Sequence, residues 1–157
     1  MNKPFKNISY DRALQKAMRY CMYQERCIDD MEKRFAAWNV KKQDWDKIID
    51  YLIDQNFLSE ERFIESYVRG KFYHKKWGRN KIILGLRQKK VKGDLVYKVM
   101  SQEISDEEYL TTIKDLINKK KNLLCEPDDL KLRDKIYRYL LSKGYESEII
   151  VNQLPSF

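Results

Sequence analysis

The sequence predicts an all-α protein of three tandem three-helix repeats forming an elongated, curved right-handed stack. Three observations carry this expectation. Only five glycines and three prolines punctuate 157 residues, so long stretches hold no helix breaker. Apolar residues recur at spacings of three and four, the period of one helix face, and the alternation of a strand is almost absent. One set of apolar positions returns three times in the same phase, as in repeat arrays whose units bury their faces between neighbours. At 43% apolar and 13% aromatic content the chain is too rich in core formers for a disordered tail.

The first repeat, 1–57, is read to open its helical part at Ile8-Ser9, a serine able to accept a first-turn amide, followed by Ala13, Leu14 and Ala17 on one face. Met31 and Phe35 lead to Asn39, a residue that tolerates the left-handed backbone closing a helix, and then to Val40. Trp45 and Ile49 complete the unit. The second repeat, 58–103, reproduces the phase with Leu58-Ser59, then Phe63, Ile64 and Tyr67, Ile82 and Leu86, Val91, and Val96 and Met100. Its helices are expected at 59–73, 79–90 and 94–102. The third repeat, 104–157, opens at Ile104-Ser105, where Ser105 to Glu108 has capping-box spacing. Tyr109, Leu110, Ile113, Ile136, Leu140, Tyr145, Ile150 and Leu154 hold the same phase, with Gly144 as the closing residue. The stretch 119–129, which contains Pro127, is read as a looping insert with a helix restarting at Asp128 or Asp129, and Pro155-Ser156-Phe157 as a stop.

Charge is distributed unevenly. The chain carries 32 Lys and Arg against 24 Asp and Glu. Ten of the cations and no acid lie between positions 69 and 92: Arg69, Lys71, Lys75, Lys76, Arg79, Lys81, Arg87, Lys89, Lys90 and Lys92. Outside that stretch the chain is slightly acidic, so the whole positive excess belongs to this one stretch of the second repeat. With Phe72, Tyr73 and Trp77 interleaved, this stretch suits a phosphate-bearing partner, although Trp77 is read as core rather than as a stacking platform. A solvated basic helix face is the structural alternative.

Other chemistries find little support. Cys21, Cys27 and Cys125 form no Cys-x-x-Cys pair, and His74 is the single histidine and has no orienting carboxylate near it in sequence. Free thiols packed on helices are expected, with no zinc site, no catalytic dyad and no cofactor. The acids Asp29-Asp30, Glu60-Glu61, Asp106-Glu107-Glu108 and Asp128-Asp129 fall at predicted helix starts, where the dipole favours them. They are therefore read as caps rather than as two-metal ligands. No apolar run approaches the roughly 18 residues that span a bilayer, and the opening from Met1 to Lys6 lacks a signal-peptide core. A cytoplasmic monomer without membrane contact is expected.

Specific motifs go further. Phe57-Leu58-Ser59-Glu60-Glu61-Arg62-Phe63 with Tyr67-Val68-Arg69, Trp77-Gly78 leading to Lys81-Ile82 and Leu86-Arg87-Gln88-Lys89-Lys90-Val91, and the closing Leu141-Ser142-Lys143-Gly144-Tyr145 resemble the RecX family of bacterial recombination regulators. Gly85 stands where that family usually has an acid, which suggests close packing. Lys90 stands where it has glycine, which argues against a tight left-handed cap. The resemblance implies a protein that catalyses nothing. It would bind RecA on single-stranded DNA, lie along the filament groove, and restrain ATPase, strand exchange and filament extension, with weak direct DNA binding also in reach. Two other readings of the residues stay open. One is a helix-turn-helix-like DNA-binding protein reading bases through Arg79, Asn80, Arg87 and Gln88. The other is a helical scaffold for an acidic protein partner.

Overall fold

The computed structural model describes residues 6–154. The expectations for the opening five residues and for Pro155-Ser156-Phe157 lie outside the described residues. The helices are α1 (Tyr10–Tyr23), α2 (Ile28–Ala37), α3 (Lys42–Asp54), α4 (Glu60–Arg69), α5 (Arg79–Gln88), α6 (Asp94–Glu103), α7 (Asp106–Leu124), α8 (Asp129–Ser142) and α9 (Ser147–Gln153), with a π-helical turn Gly70–His74 after α4. Among the described residues the only extended pairing is one parallel bridge between Ile8 and Val40. The all-α, three-helix-repeat class stands.

The threefold phase is the phase of burial. Met31, Ile82 and Ile136 are fully buried, as are Phe35, Leu86 and Leu140, and Val40, Val91 and Tyr145 follow them into the core. Each of these side chains contributes about 1.5–3 kcal/mol when removed from water. Immediately before the last three, Asn39, Lys90 and Gly144 adopt φ of 60°, 61° and 95°. Lys90 therefore makes the left-handed corner that its side chain argued against. The cost of that backbone for a non-glycine residue, about 1–2 kcal/mol, is offset because only a sharp turn there carries Val91 inward. Serines cap as read: Ser9 accepts the Arg12 amide, Ser59 that of Arg62 (both 3.3 Å) and Ser105 that of Glu108 (3.1 Å).

Three expectations need correction. The first helix of the second repeat does not run regularly to residue 73: beyond Arg69 it widens into the π turn, closed by the Lys75 amide on the Gly70 carbonyl (3.3 Å). The insert 119–129 is mostly helix, because α7 continues to Leu124 through residues of good helix propensity, with Lys120 lying over the Tyr139 ring at 4.2 Å. The chain reverses only at Cys125 (φ 47°), and α8 restarts behind Asp128, whose carboxylate caps Lys131. Finally, Ser105 to Glu108 is only half a capping box, since the Glu108 carboxylate instead accepts the Tyr73 hydroxyl at 2.8 Å.

The chain divides into two compact units, Met1–Ser66 with Lys89–Val91, and Tyr67–Gln88 with Lys92–Phe157. The first centres on Phe35, Ile48, Leu52 and Met31, with Phe35 tilted against Trp45 (centroids 5.8 Å) and Trp38 edge-on to Tyr20. In the second, Phe72, Tyr109 and Tyr145 pack ring to ring at 5.9 and 5.3 Å. That unit also contains a backbone crossing. The Gly78 amide donates to the Lys143 carbonyl (2.8 Å) and the Asn80 amide to that of Gly144 (2.9 Å). A Cβ on Gly78 would overlap the Gly144 carbonyl, one on Gly144 would overlap Lys81, and one on Gly85 would overlap Tyr67, the close packing read from that glycine. Gly70 faces open space.

Gly78→Ala should lower stability by about 1–3 kcal/mol, because backbone on the far side cannot yield, whereas Gly70→Ala should be neutral or slightly stabilising. Urea midpoints of the two variants check this.

Candidate nucleic-acid interface

The chain brings its cations to the surface in two different ways. Arg69, at the end of α4, forms a two-pronged pair with Glu103 (2.6 and 2.8 Å). Arg79 opens α5, where its guanidinium reaches Asp106 (2.8 Å) and Glu146 (3.1 Å) and lies 3.9 Å from the Tyr109 ring centroid. Those two carboxylates sit at the starts of α7 and α9, so Arg79 ties three helix N-termini together. The buried Tyr109 hydroxyl accepts the Arg79 amide (3.0 Å) and donates to Glu146; burial first, then that carboxylate, pushes its ionisation well above the ordinary range. In the first unit Lys89 pairs with Asp30 (2.8 Å) and Lys90 approaches Asp29 (3.5 Å). Four of the ten sequence candidates are thus engaged by carboxylates of this chain.

The other six are not. Among the described residues, no carboxylate lies within ion-pair distance of Lys71, Lys75, Lys76, Lys81, Arg87 or Lys92. Lys75, Lys76, Arg87 and Lys92 are exposed. Lys71 and Lys81 place their ammonium groups 4.7 and 4.6 Å from the Trp77 ring centroid. Half-buried Trp77 is thus neither plain core nor a bare stacking platform: its ring carries cations. Lys76 is held in the left-handed region (φ 57°), and the Tyr145 hydroxyl fixes its carbonyl at 2.8 Å.

A further cation joins them that charge clustering in the sequence missed. Lys143, 51 residues beyond Lys92, donates to the Lys75 carbonyl at 3.0 Å. Its ammonium is held below its ordinary range by burial and then by the positive charges of Lys81 and Lys76. The available signal was its place beside Gly144, the corner onto which Gly78 packs.

The paired acids all occupy first turns or cap positions. His74 is exposed. The three cysteines are free, but only Cys21 lies within a helix: Cys27 precedes α2, and Cys125 is exposed after α7. Burial pushes the Cys21 and Cys27 thiols up to about 11. Among the described residues no helix is long and apolar enough to cross a membrane.

Residues 59–100 match the family model described as RecX, second three-helix domain, and residues 106–152 the model for RecX, third three-helix domain. The chain belongs to the RecX family. It is 36% identical over 116 residues to a regulatory protein RecX of Clostridium perfringens, covering 73% of this chain and 51% of that protein. It is 38% identical over 117 residues to one of Clostridium botulinum, covering 71% and 54%. The chain spans about half the length of the curated relatives it matches. The crystal structure of RecX from Lactobacillus salivarius superposes with a TM-score of 0.82 over 92% of this chain and 93% of that one, at 23% identity, which speaks for the RecX fold.

Two outcomes follow. Burial raises the ionisation of Asp30, but the Lys89 ammonium and the Cys27 amide outweigh it, and the carboxyl lies below its ordinary value. A lowered folded value gives stability that is present above the unfolded carboxylate range, near pH 4, and is lost as pH falls through the folded one. Asp30→Asn should therefore cost about 1–3 kcal/mol at neutral pH and flatten the acid limb of a plot of urea midpoint against pH. In native protein at neutral pH a thiol reagent should find one fast site, abolished by Cys125→Ser, with Cys21 and Cys27 reacting only after denaturation.

Proposed function

We propose that this RecX-family chain regulates RecA by binding the RecA–DNA filament along its groove, restraining ATPase, strand exchange and filament extension in recombinational repair and the SOS response. The observation that supports it best is a coincidence. The repeat matched by the second three-helix model is also the one that holds every cation of the positive excess. A polyanionic fibre is the partner that such a segment suits, since neutralising backbone phosphates releases counterions and needs no base recognition. Repeats at 1–57, 58–103 and 104–157 would act as successive contact modules, each engagement raising the effective concentration of the next. ATP turnover would belong to RecA, and this chain would make and break no bond.

The direct base-reading alternative is weakened by one contact set. Arg79, its first candidate, is occupied by Asp106, Glu146 and the Tyr109 ring.

RecA ATPase on single-stranded DNA, titrated with this protein at two salt concentrations, tests the proposal. Activity should fall as the protein is added. Half-inhibition should move to higher concentration by about 10³-fold between 50 and 200 mM salt if six or more phosphates are neutralised. An unchanged ATPase rate at every ratio would overturn it.

A further inference from the structure

The geometry points to a phosphate seat on the second unit, built by Lys76 and Lys81 of the second repeat together with Lys143 of the third and flanked by Lys71 and Lys75, that holds the backbone of a nucleic-acid strand. It deepens the regulatory reading and rests on it only for the choice of strand as ligand.

Three independent features converge there. The first is electrostatic. Lys71, Lys75, Lys76, Lys81 and Lys143 have no carboxylate within ion-pair distance among the described residues, although Arg69 and Arg79 of the same unit are paired. Like charges this crowded repel, and an anion arriving between them relieves the repulsion. The second is conformational. Lys76 keeps a left-handed backbone that costs a non-glycine residue about 1 kcal/mol or more, at the end of a π turn, and two side chains of the third repeat pin the carbonyls of the turn: Lys143 holds Lys75 and Tyr145 holds Lys76. Strain maintained this way concentrates at functional positions. The third is the Trp77 ring, which carries the ammonium groups of Lys81, in the seat, and of Lys71, at its flank.

The chemistry favours a strand over a small polyphosphate. Ammonium groups are point charges without the planar fork that grips one particular phosphate, and they suit successive backbone phosphates met in any sequence. The cations also continue beyond the seat. Lys76 shares a cavity of about 420 Å³ with Lys119 and Asn122 of α7, in which Asp115 is the one carboxylate.

The test is fluorescence anisotropy of labelled oligo(dT) with the full chain and three variants. Lys76→Gly relieves the backbone strain while deleting a charge, so it should fold at least as well as the parent yet bind several-fold more weakly. Lys143→Gln removes the charge while keeping a polar side chain and should weaken binding similarly. Their combination should cost about tenfold or more at low salt and reduce the salt slope by about two phosphates. Circular dichroism and urea midpoints confirm that each variant is folded. Parent-like binding by the double variant, with loss in Arg87→Gln or Lys92→Gln instead, would overturn the seat. So would competition by tripolyphosphate equal to that of unlabelled oligo(dT) at matched phosphate. If oligo(dT) binds through these lysines but RecA ATPase is untouched, the regulatory reading falls and the seat remains. If ATPase is inhibited equally by parent and double variant, the seat falls and the regulatory reading remains.

Discussion

The middle helix of every repeat must end in an abrupt reversal, and the rest of the architecture depends on it. Asn39, Lys90 and Gly144 turn the chain left-handedly, and the next residue drops into a core. Two of the three are not glycine. They accept an unfavourable backbone because the burial of Val40 or Val91 yields a comparable or larger return. At the third corner the demand is stricter. The start of α5 docks its amides on the Lys143 and Gly144 carbonyls, and neither glycine of that crossing has room for a Cβ. Backbone this close to backbone fixes where Lys81 and Lys143 lie, so the corner also determines the local charge pattern.

The same physics sorts the cations. Arginine offers a planar fork that matches a carboxylate, and Arg69 and Arg79 use it to join helix ends within the second unit. Exposed pairs of this kind are each worth only about 1 kcal/mol or less. Their value is in orientation, since Arg79 also covers the buried Tyr109 ring and shares Glu146 with its hydroxyl. Lysine ends in a compact, strongly hydrated ammonium; Lys89 and Lys90 turn theirs to Asp30 and Asp29, while Lys71, Lys75, Lys76, Lys81 and Lys92 have no carboxylate within ion-pair distance among the described residues. A belt of ten cations thus separates into struts and candidate contacts.

The apolar phase was readable without coordinates because a helix repeats every 3.6 residues whatever surrounds it, so Met31, Ile82 and Ile136 declared themselves by spacing alone. Serine caps and acidic first turns were readable for a similar reason: they satisfy amides within three or four residues. Mistakes arose where a local signal competed with a distant partner. Glu108 left its capping role for Tyr73, 35 residues away. Lys90 overrode its side-chain preference to bury its neighbour, and Pro127 suggested a loop longer than the four residues separating α7 from α8.

The sequence by itself determined the helical class, the threefold repeat, the core positions and the concentration of positive charge, since all of these follow from spacing and composition along the chain. Tertiary structure alone decided which cations are paired and which are left, and it brought Lys143 to Lys76 across a glycine crossing. Charge pairing depends on distance in space, and in a folded chain that distance bears little relation to separation in sequence.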